Sequence, residues 1–213
     1  SLLLNPGTVV TNVDFIPNDN ETYLSVRGQV TVNVAKRTLN IVGDFEVNDK
    51  IYDGTTSATL SQNNLQLINI LETDDVSLTP VVEFIDKSVA EDKSVFLSEE
   101  SLLTGNSSNN YSLSLENSPT SSGSISAKEL TVTNAVAIDK IYDGNFVANI
   151  EGALLNGIVK TDDVTLSKSN AGEFEQKDAG ENIHVSTTMG ITGTDSENYF
   201  IVQPNYLSAN IEK

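Results

Sequence analysis

Lysine, tyrosine and aspartate stand together twice in this chain. Asp49-Lys50-Ile51-Tyr52-Asp53-Gly54 returns unchanged as Asp139-Lys140-Ile141-Tyr142-Asp143-Gly144. Paired asparagines, Asn110 and Asn198, accompany the paired lysines, so a Lys–Asn isopeptide cross-link is one chemistry these residue types could support; each such bond would release one ammonia. A second acidic segment, Glu72-Thr73-Asp74-Asp75, returns as Thr161-Asp162-Asp163. Ca²⁺ takes about six to eight oxygen ligands, several from carboxylates, which makes Asp74, Asp75, Asp162 and Asp163 candidate ligands, with Asp53 and Asp143 able to approach them. Set against this is the absence of an Asp-x-Asp-x-Asp-Gly loop or a glycine-rich nonapeptide repeat. The plainer reading makes each acidic pair a solvated turn at the start of a strand.

Other chemistries fare worse. Paired carboxylates could serve as the acid and nucleophile of a glycosidase, but 30 acidic residues supply such pairs by composition, and there is no Trp to form a sugar platform. A serine hydrolase would need Gly-x-Ser-x-Gly and a base; the one histidine, His184, has no copy in the first half and reads as a surface strand residue. The chain lacks Cys, which removes disulfides and thiolate chemistry. Its net charge of −18 repels phosphate backbones and anionic membrane surfaces. No apolar run approaches the ~20 residues that cross a bilayer as a helix. An enzyme, a cofactor and a nucleic-acid partner are therefore not expected. Calcium is the one metal to weigh, and a monomer is the expected state.

The elements that must position these residues are strands. Period-two alternation recurs at Val30/Val32/Val34, Leu39/Ile41 and Leu113/Leu115, with turn signals at Asp53-Gly54, Asp143-Gly144, Gly105, Gly123 and Gly193. The segments Leu65–Leu71 and Leu154–Val159 read equally as a helical turn or a strand, and Ser114–Ser124 reads as a polar loop. The repeat continues in order through Glu83-Phe84 with Glu173-Phe174 and Asn110-Tyr111 with Asn198-Tyr199, at offsets of 88 to 90. That period suits a self-contained β-sandwich rather than a solenoid. Joins at Ala35-Lys36-Arg37 and Ala127-Lys128 follow strands with no Gly, Pro or Ser-rich spacer, which predicts stiff connections. The expected domains are 1–36, the closing part of a truncated module, then 37–127 and 128–213. Residues 10–34 read as one strand, a polar turn and two closing strands. Tyr23, Tyr111 and Tyr199 each read as opening a strand after a polar turn, a placement similar to the tyrosine corner of immunoglobulin-like sandwiches. One member of each pair Ile51/Tyr52 and Ile141/Tyr142 should face the core.

The order Lys-Ile-Tyr-Asp-Gly, Asp-Asp-Val, Glu-Phe and Gly-x-x-x-x-Asn-Tyr resembles the YDG domain, a repeat of large bacterial surface and haemagglutinin-like or adhesin-like proteins. The motif residues are Lys50, Tyr52, Asp53, Gly54 and Tyr111 in one copy and Lys140, Tyr142, Asp143, Gly144 and Tyr199 in the other. Gly54-Thr55-Thr56 keeps the family's Gly-Thr-Thr, whereas Gly144-Asn145-Phe146 departs from it. Residues 15–23 resemble the close of a bacterial immunoglobulin-like repeat. The strand pattern, the period, the tyrosine placement and the stiff joins predict an all-β, rod-like tandem of immunoglobulin-like sandwiches. The resemblance implies an extracellular stalk without catalysis, whose partners are its neighbouring modules. The alternative is a module that binds a host glycan or protein, for which Phe146, Phe200 and Tyr206 are the candidate aromatics.

Overall fold

A computed structural model describes residues 5–213. The fold is all-β; among the described residues the only helical elements are single 3₁₀ turns at Ser108–Asn110 and Ser196–Asn198. Strands come first as an antiparallel hairpin, Gly7–Phe15 with Val26–Val34, in register from Gly7↔Val34 to Phe15↔Val26. Its return arm is a single strand, not two. Tyr23 precedes that strand in an exposed turn and does not open it. Arg27 forks onto Asp14 across the pair at 2.6 and 2.8 Å.

Each repeat then follows the same plan. In the first, Arg37–Val42 pairs in parallel with Tyr111–Leu113 and antiparallel with Gln66–Ile68. Ser77–Thr79 pairs with Leu102–Thr104, and Lys50–Ile51, Thr120–Ser126, Ala90–Leu97 and Val82–Phe84 form a sheet in that order. In the second, Lys128–Thr133 lies between Leu154–Asn156 and Tyr199–Val202, and Thr165–Ser167 pairs with Gly190–Thr192. Val136–Ala137, Val147–Glu151, Ala171–Phe174, Gly180–Thr187, Ser208–Glu212 and Lys140–Ile141 make a six-stranded sheet in that order. Both ambiguous apolar segments are thus strands, because each supplies the antiparallel neighbour of its repeat's first strand. The polar segment Ser114–Ser124, expected as a loop, is strand from Thr120 onward, continuous with the expected strand at 124–126, and its small side chains alternate around buried Ile125.

Compactness divides the chain into two units. One takes residues through 47 together with 58–83 and 95–121; the other takes 48–57, 84–94 and 122–213. The first has its core in Leu39, Ile41, Phe45, Val82, Val95 and Leu97. The second centres on Phe174, Val185, Ile150 and Ile211, and also contains buried Tyr52, Phe84 and Ile125 from the first repeat. Elements of both repeats therefore meet inside the second unit, which holds both Lys-Ile-Tyr-Asp-Gly segments and the acidic turn of the second repeat, while Asp74 and Tyr111 of the first repeat belong to the first unit.

Candidate functional site

The Lys-Ile-Tyr-Asp-Gly segment is first of all a loop that holds itself. Lys50 opens the short strand paired with 125–126 and sends its amine into the loop that follows, where Nζ donates to Asp53 Oδ1 at 2.8 Å, Thr55 O at 2.9 Å, Thr55 Oγ1 at 3.1 Å and Ser57 O at 2.9 Å. Lys140 repeats this on Asp143 Oδ1 (2.8 Å) and on Asn145 O and Oδ1 (2.8 and 3.0 Å). Asn145 therefore does for Lys140 what Thr55 does for Lys50, which accounts for the departure from Gly-Thr-Thr. Each amine also lies over the Phe ring of the Glu-Phe motif, 5.8 Å from Phe84 and 5.4 Å from Phe174. Burial pushes Asp53 up, but the Lys50 and Thr55 donors outweigh it and leave the carboxyl below its usual range. Lys140 and the Asn145 N–H lower Asp143 in the same way. The opening aspartate serves the last strand: Asp49 accepts from Ser124 N and Asp139 from Asn210 N, both at 2.7 Å. Lys50→Met removes a charged donor from several acceptors and is expected to cost about 2 kcal/mol, with a similar loss for Lys140→Met, read from urea unfolding.

The acidic pairs build a second device. Asp162 closes a turn in which its N–H donates to Val159 O at 2.9 Å, and Asp74 does so on Leu71 O at 2.9 Å. A tyrosine grips each turn at both ends. Tyr199 Oη accepts from Val159 N (3.0 Å) and donates to Asp162 Oδ2 (2.6 Å); Tyr111 Oη accepts from Leu71 N (3.2 Å) and donates to Asp74 Oδ2 (2.6 Å). Tyr111 and Tyr199 are set in place by the parallel pairing of their strands with Arg37–Val42 and Lys128–Thr133. The neighbouring aspartates face away, Asp75 accepting from Asn106 N at 3.0 Å and Asp163 from Thr194 N at 3.2 Å.

In the second unit a further tyrosine enters this arrangement. Tyr52, from the first repeat, donates to Asp162 Oδ2 at 2.7 Å, and its ring meets that of Tyr199 edge-on, centroids 5.3 Å apart at 74°. Lys87 completes the carboxylate's shell at 3.1 Å, with Asp195 at 3.7 Å on its far side. Asn198 Oδ1 accepts from Val89 N at 3.0 Å. Tyr52 is 1% exposed and the Asp162 side chain 0%, so the carboxylate has exchanged water for two phenols and an amine.

That exchange moves the titrations in opposite directions. Burial alone would raise Asp162, but Tyr199, Tyr52 and Lys87 together hold it below the ordinary carboxyl value of 3.8. Burial and then the hydrogen bond to Asp162 push Tyr199 up from 10.0 to about 12, and the same two causes raise Tyr52. The Tyr52 hydroxyl and the Asp162 carboxylate hold Lys87 above the usual lysine range. Between the unfolded tyrosine value of 10.0 and about 12, the folded state binds more protons than the unfolded chain. Stability therefore falls as pH rises through that window. At the acid end, the contribution of Asp162 is present above 3.8 and is lost as pH falls through its lower folded value. The hydrogen bond to Asp74 raises Tyr111 as well, so a spectrophotometric tyrosine titration should show three late-ionising phenols, of which Tyr52→Phe removes one.

The structure does not assemble the four candidate calcium ligands into one site. Asp74 and Asp162 spend oxygens on tyrosines, Asp75 and Asp163 on loop amides, and among the described residues no group of three or more His, Asp or Glu side chains is poised for a metal. The lysine amines are engaged inside their own loops, and Asn198 binds a backbone amide, so Lys140 and Asn198 are not set for a cross-link. Tyr142 and Ile141 are both exposed, contrary to the expectation that one of them faces the core. Lys87 was not singled out by the motifs, although Lys177 stands 90 positions later and marks the same place. The meeting of Tyr52 with Asp162 joins residues of different copies, which alignment of one repeat on the other conceals.

No curated protein and no solved structure matches the chain. The sequence pattern of the YDG domain matches residues 35–121 and again residues 126–206, so every motif residue of the loop clamps, turns and tyrosine grips described above falls inside one of its two copies. The chain belongs to the YDG domain family.

Proposed function

We propose that this chain is a non-enzymatic stalk segment of a bacterial cell-surface or secreted adhesin-like protein, made of immunoglobulin-like β-sandwich modules and working outside the cell as a spacer. The observation that carries this reading is the seating of Tyr52 on Asp162. A spacer must transmit position from one module to the next, and a phenol locked between a buried carboxylate, a second tyrosine and a lysine ties the loop of one repeat to the turn of the following one. The repeated residues support it further, since they are spent on loops, on turns and on the contact between repeats. Its partners on this reading are neighbouring modules of its own polypeptide.

A second reading, a module that binds a host glycan or protein, is favoured by the exposure of Phe146, Phe200 and Tyr206, since aromatic side chains left in water are common at recognition surfaces. One pair of experiments separates the two. In the parent surface protein, in-frame excision of residues 128–213 is expected to shorten reach and leave the bound ligand unchanged. The 213-residue chain itself should stay silent on a glycan array and a host-matrix screen. Specific capture that is lost on Phe200→Ser or Tyr206→Ser would overturn the spacer reading in favour of the second.

A further inference from the structure

The two repeats carry the same socket, but among the described residues only one is filled. In the second repeat the turn Val159–Asp162 and Tyr199 receive Tyr52, while Gly54 lies so close to Val159 that an added Cβ would stand 2.9 Å from Cγ1. In the first repeat the counterparts are Leu71, Asp74 and Tyr111, which keep the same internal hydrogen bonds. No Tyr-Asp-Gly loop sits on them. They line a pocket of about 410 Å³, with Val34, Arg37 and Asn110 at its walls. Leu71 is 47% exposed, whereas its counterpart Val159 is covered by the Gly54 loop. Asn110 occupies the position of Asn198, whose side-chain oxygen takes the Val89 amide in the filled site.

A matching plug is also left over. Tyr142 is 49% exposed although its sequence equivalent Tyr52 is 1% exposed, and its loop is otherwise built the same way, with Tyr142 N donating to Glu212 O at 2.8 Å as Tyr52 N does to Ser126 O at 2.9 Å. Lys177 stands in the place of Lys87, and Ala179 in that of Val89. Every other polar residue of Asp-Lys-Ile-Tyr-Asp-Gly has a partner within its own repeat. The tyrosine hydroxyl donates outside its own repeat in the first copy, where it has found an Asp–Tyr turn of the other repeat, and in the second copy the tyrosine stands half exposed.

We infer that the pocket formed by Leu71, Asp74, Asn110 and Tyr111 is a docking site for the Lys-Ile-Tyr-Asp-Gly loop of another YDG repeat, whose tyrosine hydroxyl donates to Asp74 as Tyr52 does to Asp162. The chemistry is complementary on each side. The occupant brings a phenol donor and a glycine with no side chain over Leu71, and a lysine at the Lys87 position adds positive charge beside the carboxylate. The same rule makes Tyr142 the donor to a socket of this kind. This inference rests on reading the Tyr52–Asp162 contact as the coupling between repeats. It predicts polarity: each repeat offers a tyrosine loop at one end and an Asp–Tyr turn at the other.

The probe is the hexapeptide Asp-Lys-Ile-Tyr-Asp-Gly with blocked ends, added to the ¹⁵N-labelled 213-residue chain. Tethered repeats meet at effective concentrations in the millimolar range, so half-saturation at about 1–10 mM is sufficient and expected. The amide of Leu71 and the side-chain amide of Asn110 should shift saturably, while that of Val159, already covered, should not. Peptide with Tyr replaced by Phe should lose at least about tenfold in affinity, as loss of a hydrogen bond to a charged acceptor implies, and Asp74→Asn in the chain should do the same. The peptide variant keeps the test clear of any folding defect in the chain. Absence of saturable shifts at Leu71 up to about 20 mM, twice the top of that range, or equal binding by the Phe peptide, overturns the inference. If Val159 then still responds to Tyr52→Phe, the coupling between the two present repeats stands and only the open socket is lost.

Discussion

Asp162→Ala should destabilise the second unit by about 3 kcal/mol, more than any other single polar substitution in the chain. The carboxylate accepts from Tyr52 and Tyr199 and faces Lys87, with none of its side chain exposed. Its removal strands two phenol hydroxyls and an amine. Tyr199 retains the Val159 amide, and Lys87 is 39% exposed and can turn to water. What cannot be recovered is the Tyr52 hydroxyl, which is buried, and the charge-assisted character of both phenol bonds, each worth about 1.5–3 kcal/mol. Tyr52→Phe deletes one of those bonds but keeps the ring packing, so about 1.5 kcal/mol is expected. Asp74→Ala makes the internal comparison. Asp74 holds only Tyr111 at the rim of an open pocket, and water can replace the missing oxygens, so a loss near 1 kcal/mol is expected. Urea unfolding followed by tyrosine fluorescence measures all three. Equal losses at Asp162 and Asp74 would mean that the contact with Tyr52 contributes nothing.

Much of this arrangement was visible as repetition, because duplicated residues mark what both copies need. Asp53-Gly54 and Asp143-Gly144 as turns, Tyr111 and Tyr199 as ties between a loop and a strand, and the all-β character all follow from local pattern. Two kinds of feature did not. The first half of the strand Thr120–Ser126 is hidden by its serines, while the alternation at 124–126 is legible; the strand's place is fixed by pairing with Lys50–Ile51, some 75 residues away in sequence, and not by propensity. The different fates of Tyr52 and Tyr142 were hidden for a deeper reason. Identical hexapeptides carry no information about what lies beyond them, and burial is decided by whether a neighbouring repeat brings an Asp–Tyr turn to the loop. Sequence identity predicted that the two tyrosines share a role. It could not show that only one has its partner among the described residues.

Gly54 and Gly144 turn that difference into a measurement. Both take positive φ, 81° and 77°, where an alanine Cβ costs about 1–2 kcal/mol against the following carbonyl. At Gly144 nothing further opposes the side chain: the nearest atom is Tyr142 Oη at 3.9 Å. At Gly54 the new Cβ would stand 2.9 Å from Val159 Cγ1, too close for two carbons, so the loop or the Val159 turn must give way. A displaced loop carries Tyr52 with it and lengthens its bond to Asp162, adding part of the 1.5–3 kcal/mol of a charge-assisted hydrogen bond. Gly144→Ala is therefore expected to cost about 1 kcal/mol and Gly54→Ala about 3 kcal/mol. The excess at Gly54 should shrink when Tyr52→Phe is already present, because the bond it disturbs is gone. The double-mutant cycle between positions 52 and 54 reads this coupling directly. A coupling energy of zero would assign the excess to the clash with Val159 alone and remove the glycine from the seating of the tyrosine. A positive value makes the Tyr-Asp-Gly triplet one device: a phenol that reaches across to the next repeat, an aspartate that anchors the lysine clamp, and a glycine that lets the loop lie flat enough for the phenol to arrive.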